Sequence, residues 1–167
     1  MQSRLRSVKA SEPDAILAAV RTLALDVGAV RIGVALSDET GTLASGLVTL
    51  KAGGPRKDAQ AVARLVREHG VGEVVVGLPL RLDGTIGPRA EEVLAFVERL
   101  RRILQVPVLA RDERLTSLAA GERLADAGVK RRDRRARIDQ AAAALILQEH
   151  LDSRRSADVP RAGGDAA

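Results

Sequence analysis

Three acidic positions in the sequence stand where a soluble domain has little reason to place charge. The first, Asp26, follows the apolar run Leu23–Leu25 in the segment TLALDVG. An ionised carboxylate in a strand that is covered on both faces is unfavourable by several kcal/mol unless it is paired, hydrogen-bonded or metal-bound. Asp26 is therefore a candidate ligand or catalytic acid. The alternative is that it only caps the turn DVGAV, in which Gly28 takes the special backbone angles.

A second acidic position ends another apolar run. In the segment VPVLARDER, Asp112 and Glu113 follow a predicted buried strand. Acids at the carboxyl ends of parallel strands meet at one edge of an open α/β sheet, so these side chains are expected near Asp26. The alternative is a local salt bridge to Arg111 or Arg114.

The third acid, Asp139, lies on the last predicted helix. It falls in line with Ala143, Ile146 and His150 at spacings i, i+4, i+7 and i+11, which is the face expected to contact the sheet. The alternative is a polar first turn, where the helix dipole favours an acid.

Together these acids are a candidate oxygen-ligand site for Mg²⁺ or Mn²⁺. A pair of such ions ~3.5 to 4 Å apart can activate a water molecule and stabilise the leaving oxygen in phosphodiester hydrolysis. Zinc is disfavoured because the chain has no cysteine and only two histidines.

The elements that must position these acids follow from the hydrophobic periodicity. Residues 23–50 are predicted to form three strands of an antiparallel meander. After them, segments with helical spacing of apolar residues alternate with continuous apolar runs. The predicted order is three strands, helix, strand, helix, strand, helix, helix, with the last helix over residues 134–151. This order predicts an α/β fold with a mixed five-stranded sheet, an antiparallel leading meander followed by parallel strands, and helices on both faces.

Composition sets the class of protein. A chain of 167 residues with 46% hydrophobic and 29% charged residues is expected to form one domain, over residues 21–152. Residues 1–20 are expected to be an N-terminal extension and residues 153–167 a mobile tail. The absence of cysteine excludes disulfides, thiolate zinc sites and cysteine nucleophiles. No signal peptide and no apolar stretch of ~18 residues is present, so a cytoplasmic protein without a membrane partner is expected.

Charge favours a phosphate-bearing partner. The net charge is +5 and the sequence pI is about 10.6. The segment KRRDRRARID leads directly into Asp139 and could hold a phosphate backbone without reading its sequence. The alternative is a solvated basic face. Its six basic residues are Lys130, Arg131, Arg132, Arg134, Arg135 and Arg137. The single aromatic residue, Phe96, argues against an extended base-stacking platform.

Four segments carry a resemblance to a known family. In order and spacing, DVGAVRIGVALSD, VVVGLPLRLDGT, ARDERLTS and RIDQAAAALIL resemble the signature segments of the YqgF/RuvX family, relatives of the RuvC resolvases in the RNase H-like superfamily. The resemblance covers roughly residues 22–151. It implies an RNase H-like fold and a hydrolase, a nuclease that depends on Mg²⁺ or Mn²⁺.

The resemblance also implies roles for individual residues. By position, Asp26, Glu113 and Asp139 match the acidic triad of the family as catalytic and metal-binding residues, and Asp112 is an adjacent candidate ligand. Arg114, Thr116 and the loop 77–85 match segments that are expected to shape the substrate path. Arg31, at the start of the second strand, is expected to steady the substrate or the acids; the alternative is a surface charge.

The implied function is metal-dependent hydrolysis of structured nucleic acid, with processing of the 5′ end of pre-16S rRNA as the first expectation. The alternatives are a resolvase of Holliday junctions or other branched DNA, and a nucleic-acid-binding protein without catalysis. A homodimer would favour symmetric cutting of two DNA strands, and a monomer would favour RNA. The turn DVGAVRIG also resembles the first phosphate loop of the actin and sugar-kinase ATPases, but we expect 167 residues to be too few for the second phosphate-binding domain of those proteins.

Overall fold

The computed structural model describes residues 20–114 and 131–158, with side chains in the last helix from residue 133 onward. These residues form five strands and three helices. They are β1 (Thr22–Val27), β2 (Arg31–Ser37), β3 (Ala44–Lys51), α1 (Pro55–Glu68), β4 (Glu73–Leu78), α2 (Pro88–Ile103), β5 (Val108–Asp112) and α3 (Arg131–Asp158).

The strands form one mixed sheet in the order β3-β2-β1-β4-β5. β1, β2 and β3 are antiparallel neighbours, whereas β4 is parallel to both β1 and β5. The predicted meander followed by parallel strands is therefore confirmed. Because β1, β4 and β5 run in the same direction, their carboxyl ends lie at one edge of the sheet, which we call the carboxyl edge.

Helices cover both faces of the sheet, as predicted. Large side chains such as Leu25 and Val34 pack against α1 and α2, while the small residues Ala24 and Ala35 face α3. Burying each large aliphatic side chain contributes about 1.5 to 3 kcal/mol, so the α1–α2 side supplies most of the core. The small residues on the other side let α3 lie close to the sheet. At Gly33, an added Cβ would lie only 2.0 Å from the Asp139 carbonyl oxygen.

The helix α3 continues to Asp158, beyond the predicted end at residue 151 and into the segment expected to be a tail. The extra turns are held by contacts that periodicity does not reveal. Arg154 forms an ion pair with Glu73 on β4, and the Ser156 hydroxyl donates to the Asp152 carbonyl at 3.0 Å. Residues 1–19, the helix predicted in TSLAAGERLADAG and residues 159–167 lie outside the described residues. Within the described part of the chain, no helix is both long and apolar enough to cross a membrane.

Candidate active site

The centre of the site is a pair of carboxyl groups at the carboxyl edge. Asp26 lies near the end of β1, and Glu113 follows the last residue of β5. The two side chains share a hydrogen bond, although β4 separates their strands. The Glu113 backbone N–H donates to the Leu78 carbonyl at 3.2 Å, which holds the chain beside the end of β4. The two strand ends that were expected to converge therefore do so.

Gly77 makes this reach across β4 possible. Leu25 pairs with Val76, so the next residues along, Asp26 and Gly77, lie side by side. A Cβ at Gly77 would lie 2.3 Å from Glu113 Oε2 and 2.6 Å from Ile146 Cδ1. The missing side chain leaves the space that Glu113 occupies. In the sequence, the only signal was a glycine inside the valine-rich run of β4, a position where close approach of another group is common.

Burial raises the pKa of both acids, and a neighbouring negative charge adds to each shift. Removal from water raises the pKa of Glu113 to about 7, and the charge of Asp26 adds to that shift. Burial also raises the pKa of Asp26, followed by the charge of Asp139. The Arg89 guanidinium acts in the opposite direction on both groups. Their hydrogen bond lowers the pKa of Asp26 and raises that of Glu113, so Glu113 holds the shared proton and donates it to Asp26.

Asp139 lies next to this pair, but its carboxylate forms an ion pair with Arg31. Its backbone packs on Gly33, the residue that pairs with Asp26 across β1 and β2. Arg31 Nε donates to Asp139 Oδ2 at 2.6 Å, and the Asp139 side chain is 22% exposed. Asp139 is still close enough for its charge to raise the pKa of Asp26. Arg31 therefore steadies one of the acids, which was one of its two expected roles.

Asp112 does not join the pair. Arg114 donates to both of its carboxylate oxygens, from the backbone N–H at 3.0 Å and from Nε at 2.8 Å. These bonds hold the pKa of Asp112 below its usual value. The salt-bridge alternative applies to this residue, and Glu113 is the acid of the two that reaches Asp26. Among the described residues, no set of three His, Cys, Asp or Glu side chains is arranged to hold a metal ion.

Arg89 is a site residue that the sequence analysis missed. It lies in the first turn of α2, where its Nη2 donates to the Val27 carbonyl at 2.5 Å and its Nη1 lies 2.7 Å from Glu92 Oε2. The helix was interpreted from its apolar face alone. The available signal was a cation directly after Pro88, at a helix N-terminus where the dipole disfavours positive charge.

The basic segment is described only in part. Arg135 and Arg137 are exposed in the first turns of α3, and Arg134 is half-buried. They precede Asp139 on the same helix. Lys130 and Thr116 lie outside the described residues, and the side chains of Arg131 and Arg132 do as well.

The loop between β4 and α2 borders the same edge. Asp83 accepts hydrogen bonds from the backbone and hydroxyl groups of Thr85, and Gly84 has a φ of 85°, which is a region that favours glycine. Leu82 at its tip is 93% exposed. Arg114 Nη1 donates to the Leu82 carbonyl at 3.4 Å, so the loop contacts the segment that follows Glu113.

Comparisons with known proteins agree with this architecture. A sequence model of the RuvX family, described as Holliday junction resolvase, matches residues 20–153. A protein of Roseiflexus sp. (strain RS-1) named "Putative pre-16S rRNA nuclease" is 50% identical over 136 residues, covering 81% of this chain and 96% of the relative. A protein of the same name from Thermoanaerobacter pseudethanolicus is 42% identical over 138 residues, covering 82% of this chain and 99% of the relative.

Two solved structures share the fold. Thermus thermophilus RuvC in complex with a Holliday junction substrate matches with a TM-score of 0.53 and 16% identity, covering 82% of this chain and 96% of that chain. The Fowlpox virus resolvase in complex with Holliday junction DNA matches with a TM-score of 0.51 and 11% identity, covering 80% of this chain and 97% of that chain. At these identities the likeness concerns the fold, which is the RuvC-like RNase H fold that the sequence predicted. The family model matches residues 20–153, which is most of the chain, and the chain therefore belongs to the RuvX family.

Proposed function

We propose that this protein is a divalent-metal-dependent nuclease that hydrolyses phosphodiester bonds in structured nucleic acid, and that its substrate is the 5′ end of pre-16S rRNA in the cytoplasm. The observation that carries the proposal is the Asp26–Glu113 pair at the carboxyl edge, with Asp139 beside it. Two buried acids whose pKa values are raised are unfavourable for folding when they are charged, and such arrangements cluster at functional sites.

The donor set fits Mg²⁺ or Mn²⁺ in its chemistry. All three acids offer carboxylate oxygens, the ligands that these hard cations prefer. Asp26 and Glu113 already share a hydrogen bond, and a bound cation would favour the ionised form of both. Asp139 would join them by exchanging Arg31 for the ion. When bound, the metal supplies an activated water molecule and charge stabilisation for the leaving oxygen.

The cationic side chains around the acids have separate roles in this proposal. Arg89 lies close enough to both acids to lower their pKa values, so it can also attract the phosphate whose bond is cut. Arg31 keeps Asp139 oriented toward the site. Arg135 and Arg137 are exposed ahead of Asp139 and would contact the phosphate backbone on either side, without sequence preference.

The names of the sequence relatives support an RNA substrate. A second candidate, resolution of Holliday junctions or other branched DNA, is favoured by the family description and by the fold shared with two junction resolvases. Symmetric cutting of a junction requires two active sites, and therefore a homodimer. A monomer that cuts one strand fits the RNA substrate.

The experiment compares wild type with Asp26→Asn on a pre-16S rRNA 5′ leader and on a four-way DNA junction, with and without Mn²⁺. We expect Mn²⁺-dependent cutting of the leader by wild type, and a rate for Asp26→Asn that is lower by about 10³-fold, the scale of losing one preorganised electrostatic group. Asp38→Asn is the matched control, because Asp38 lies in an exposed turn beyond the other end of β2. The proposal is wrong if wild type cuts neither substrate or if Asp26→Asn cuts as fast as wild type.

A further inference from the structure

A cleft of about 340 Å³ opens beside the acid pair, on the α1–α2 side of the sheet. Its walls are the β1–β2 turn, the segment before α1 and the first turns of α2. Arg89 lines the cleft and also acts on the pKa values of Asp26 and Glu113, so the cleft and the acid pair share one side chain. The apolar lining includes Val27, Val93 and Phe96, and the polar lining consists of Asp58, Arg89 and Glu92.

We propose that this cleft binds one unstacked nucleobase of the substrate strand, next to the bond that is cut, and that Asp58 selects guanine. The inference rests on the proposed function, because it assigns a substrate subsite to the same nuclease. The volume is at the small end of the range for small-molecule pockets, which is about 300 to 1,000 Å³, so the cleft suits one nucleoside and not a stacked pair.

The lining has the chemistry of a base subsite. Phe96 lines the cleft with only 6% of its surface exposed, so it adds one small aromatic contact to the aliphatic walls. Such a contact is available to every base, so Phe96 contributes to affinity and not to selectivity. One ring serves one base, which agrees with the expectation that this chain has no extended stacking platform.

Asp58 supplies the selectivity. Its Oδ1 accepts the Gly53 backbone N–H at 2.8 Å, and no described residue donates to its other oxygen. Guanine alone presents two adjacent N–H donors, N1–H and the N2 amino group, to one carboxylate. Adenine and cytosine place a ring acceptor beside their amino group, and uracil places a carbonyl on each side of its N–H, so each of them turns an acceptor toward Asp58.

Arg89 sets the position of the attached phosphate. Its guanidinium is held by the Val27 carbonyl and by Glu92, between the cleft and the acid pair. A nucleotide with its base in the cleft therefore places its phosphate beside Arg89 and toward Asp26 and Glu113. The base would select the bond that the acids reach.

The chain provides its own reporter for a binding experiment. Phe96 is the only phenylalanine, and there is no tyrosine or tryptophan, so its ring signals stand alone beside those of two histidines in the aromatic proton NMR spectrum. Guanosine 5′-monophosphate is titrated into the full chain in EDTA. We expect saturable shifts of the Phe96 signals, binding of inosine 5′-monophosphate that is about tenfold weaker because it lacks the N2 amino group, and no shift with ribose 5-phosphate.

Two variants test the location and the selectivity. Ala52→Leu fills the cleft and is expected to abolish the shifts, whereas Ala95→Leu, on the exposed face of α2, is expected to retain them. Asp58→Asn keeps the acceptor for Gly53 and replaces the other oxygen with an amide donor. It is expected to bind the guanosine and inosine nucleotides equally. Absence of shifts with guanosine 5′-monophosphate, or an Ala52→Leu variant that binds as well as wild type, would overturn the inference.

A cleavage experiment distinguishes a cleft that binds a base of the substrate strand from a cleft that binds free nucleotides. Inosine replaces guanine at each position near the cut in the RNA leader, and one position is expected to lower the wild-type rate about tenfold and to leave the Asp58→Asn rate unchanged. If guanosine 5′-monophosphate binds but no position affects the rate, the cleft binds free nucleotides and the inference is wrong. Since the NMR arm measures no cleavage, an inactive protein would refute the nuclease proposal without deciding whether the cleft binds a base.

Discussion

Buried acids lie near α3 at both ends of the strands, and the two ends differ in the partners that the acids have. At the start of β4, Glu73 is 8% exposed, and it lies 3.2 Å from His150 Nε2 and forms an ion pair with Arg154. At the carboxyl edge, Asp26 and Glu113 contact each other and share a proton. The chain thus supplies buried Glu73 with basic partners, while it leaves two acids together at the other edge.

This contrast separates a structural role from a functional one. A buried acid with basic partners fixes the packing of a helix on a sheet, and its environment needs no ligand. Two buried acids whose pKa values are raised by desolvation and by nearby negative charge destabilise the fold when they are ionised, and a bound cation would relieve that destabilisation. Removal of a site acid should therefore lower activity and raise stability. Removal of Glu73 should lower stability.

The largest expected effect is on the structural cluster. Glu73→Gln removes the charge that Arg154 and His150 face, and we expect the free energy of unfolding to fall by about 3 kcal/mol, because Glu73 bonds two partners and a hydrogen bond to a charged group is worth about 1.5 to 3 kcal/mol. Urea denaturation at pH 7 measures this change. Asp152→Asn, which alters an exposed ion pair with Arg155 on the same helix, should behave like wild type. Equal destabilisation by the two variants would contradict the structural role of Glu73.

At the other edge, Gly77→Ala tests the acid pair without changing an acid. The new Cβ would push the Glu113 side chain away from Asp26, and we expect cleavage of the rRNA leader to fall about a hundredfold with a similar far-UV circular dichroism spectrum. Gly46→Ala is the matched control. Its Cβ would lie 2.9 Å from the Gln140 Cβ, so it crowds α3 from β3 without touching Asp26 or Glu113. If both variants lose activity to the same extent, close packing of the helix matters and the pair does not.

The contacts around Gly77 and Arg31 show what the sequence could and could not predict. The order of elements along the chain and the helix faces follow from local periodicity, so the mixed five-stranded sheet and the two covered faces were predicted correctly. The acids were selected because charge stood beside apolar runs. That Glu113 and not Asp112 reaches Asp26 depends on the space above Gly77, and that Arg31 binds Asp139 depends on how α3 crosses β2. Contacts between distant segments leave no periodic signal, and the same limit hid Arg89 and the extra turns of α3.

The third prediction concerns pH. Folding raises the pKa of Glu113 from 4.5 to about 7, so its contribution to stability is complete below pH 4.5 and is lost as the pH rises through 7. In EDTA, we expect wild type to lose about 2 kcal/mol over this window, after allowance for partial exposure of the group. Glu113→Gln mimics the protonated acid, so the variant should lack the Glu113 share of this loss, keep only the share due to Asp26, and exceed wild type in stability at pH 8. Glu149→Gln, an exposed change on α3, should keep the wild-type profile. A wild-type profile that rises across the window would contradict the raised pKa.

The smallest effect is expected at the ion pair that joins the third acid to the site. Arg31 and Asp139 are partly exposed, so Arg31→Gln should change the free energy of unfolding by less than about 1 kcal/mol. It should nevertheless alter the acid pair, because without Arg31 the charge of Asp139 acts on Asp26 unopposed. We therefore expect the midpoint of the Asp26 contribution to the pH-dependent stability loss, measured in the Glu113→Gln background, to move above its wild-type value. Arg155→Gln, which breaks an exposed ion pair elsewhere on α3, should leave that midpoint in place. An unchanged midpoint in Arg31→Gln would mean that Asp139 is electrostatically separate from Asp26 and Glu113, and the site would then consist of two acids.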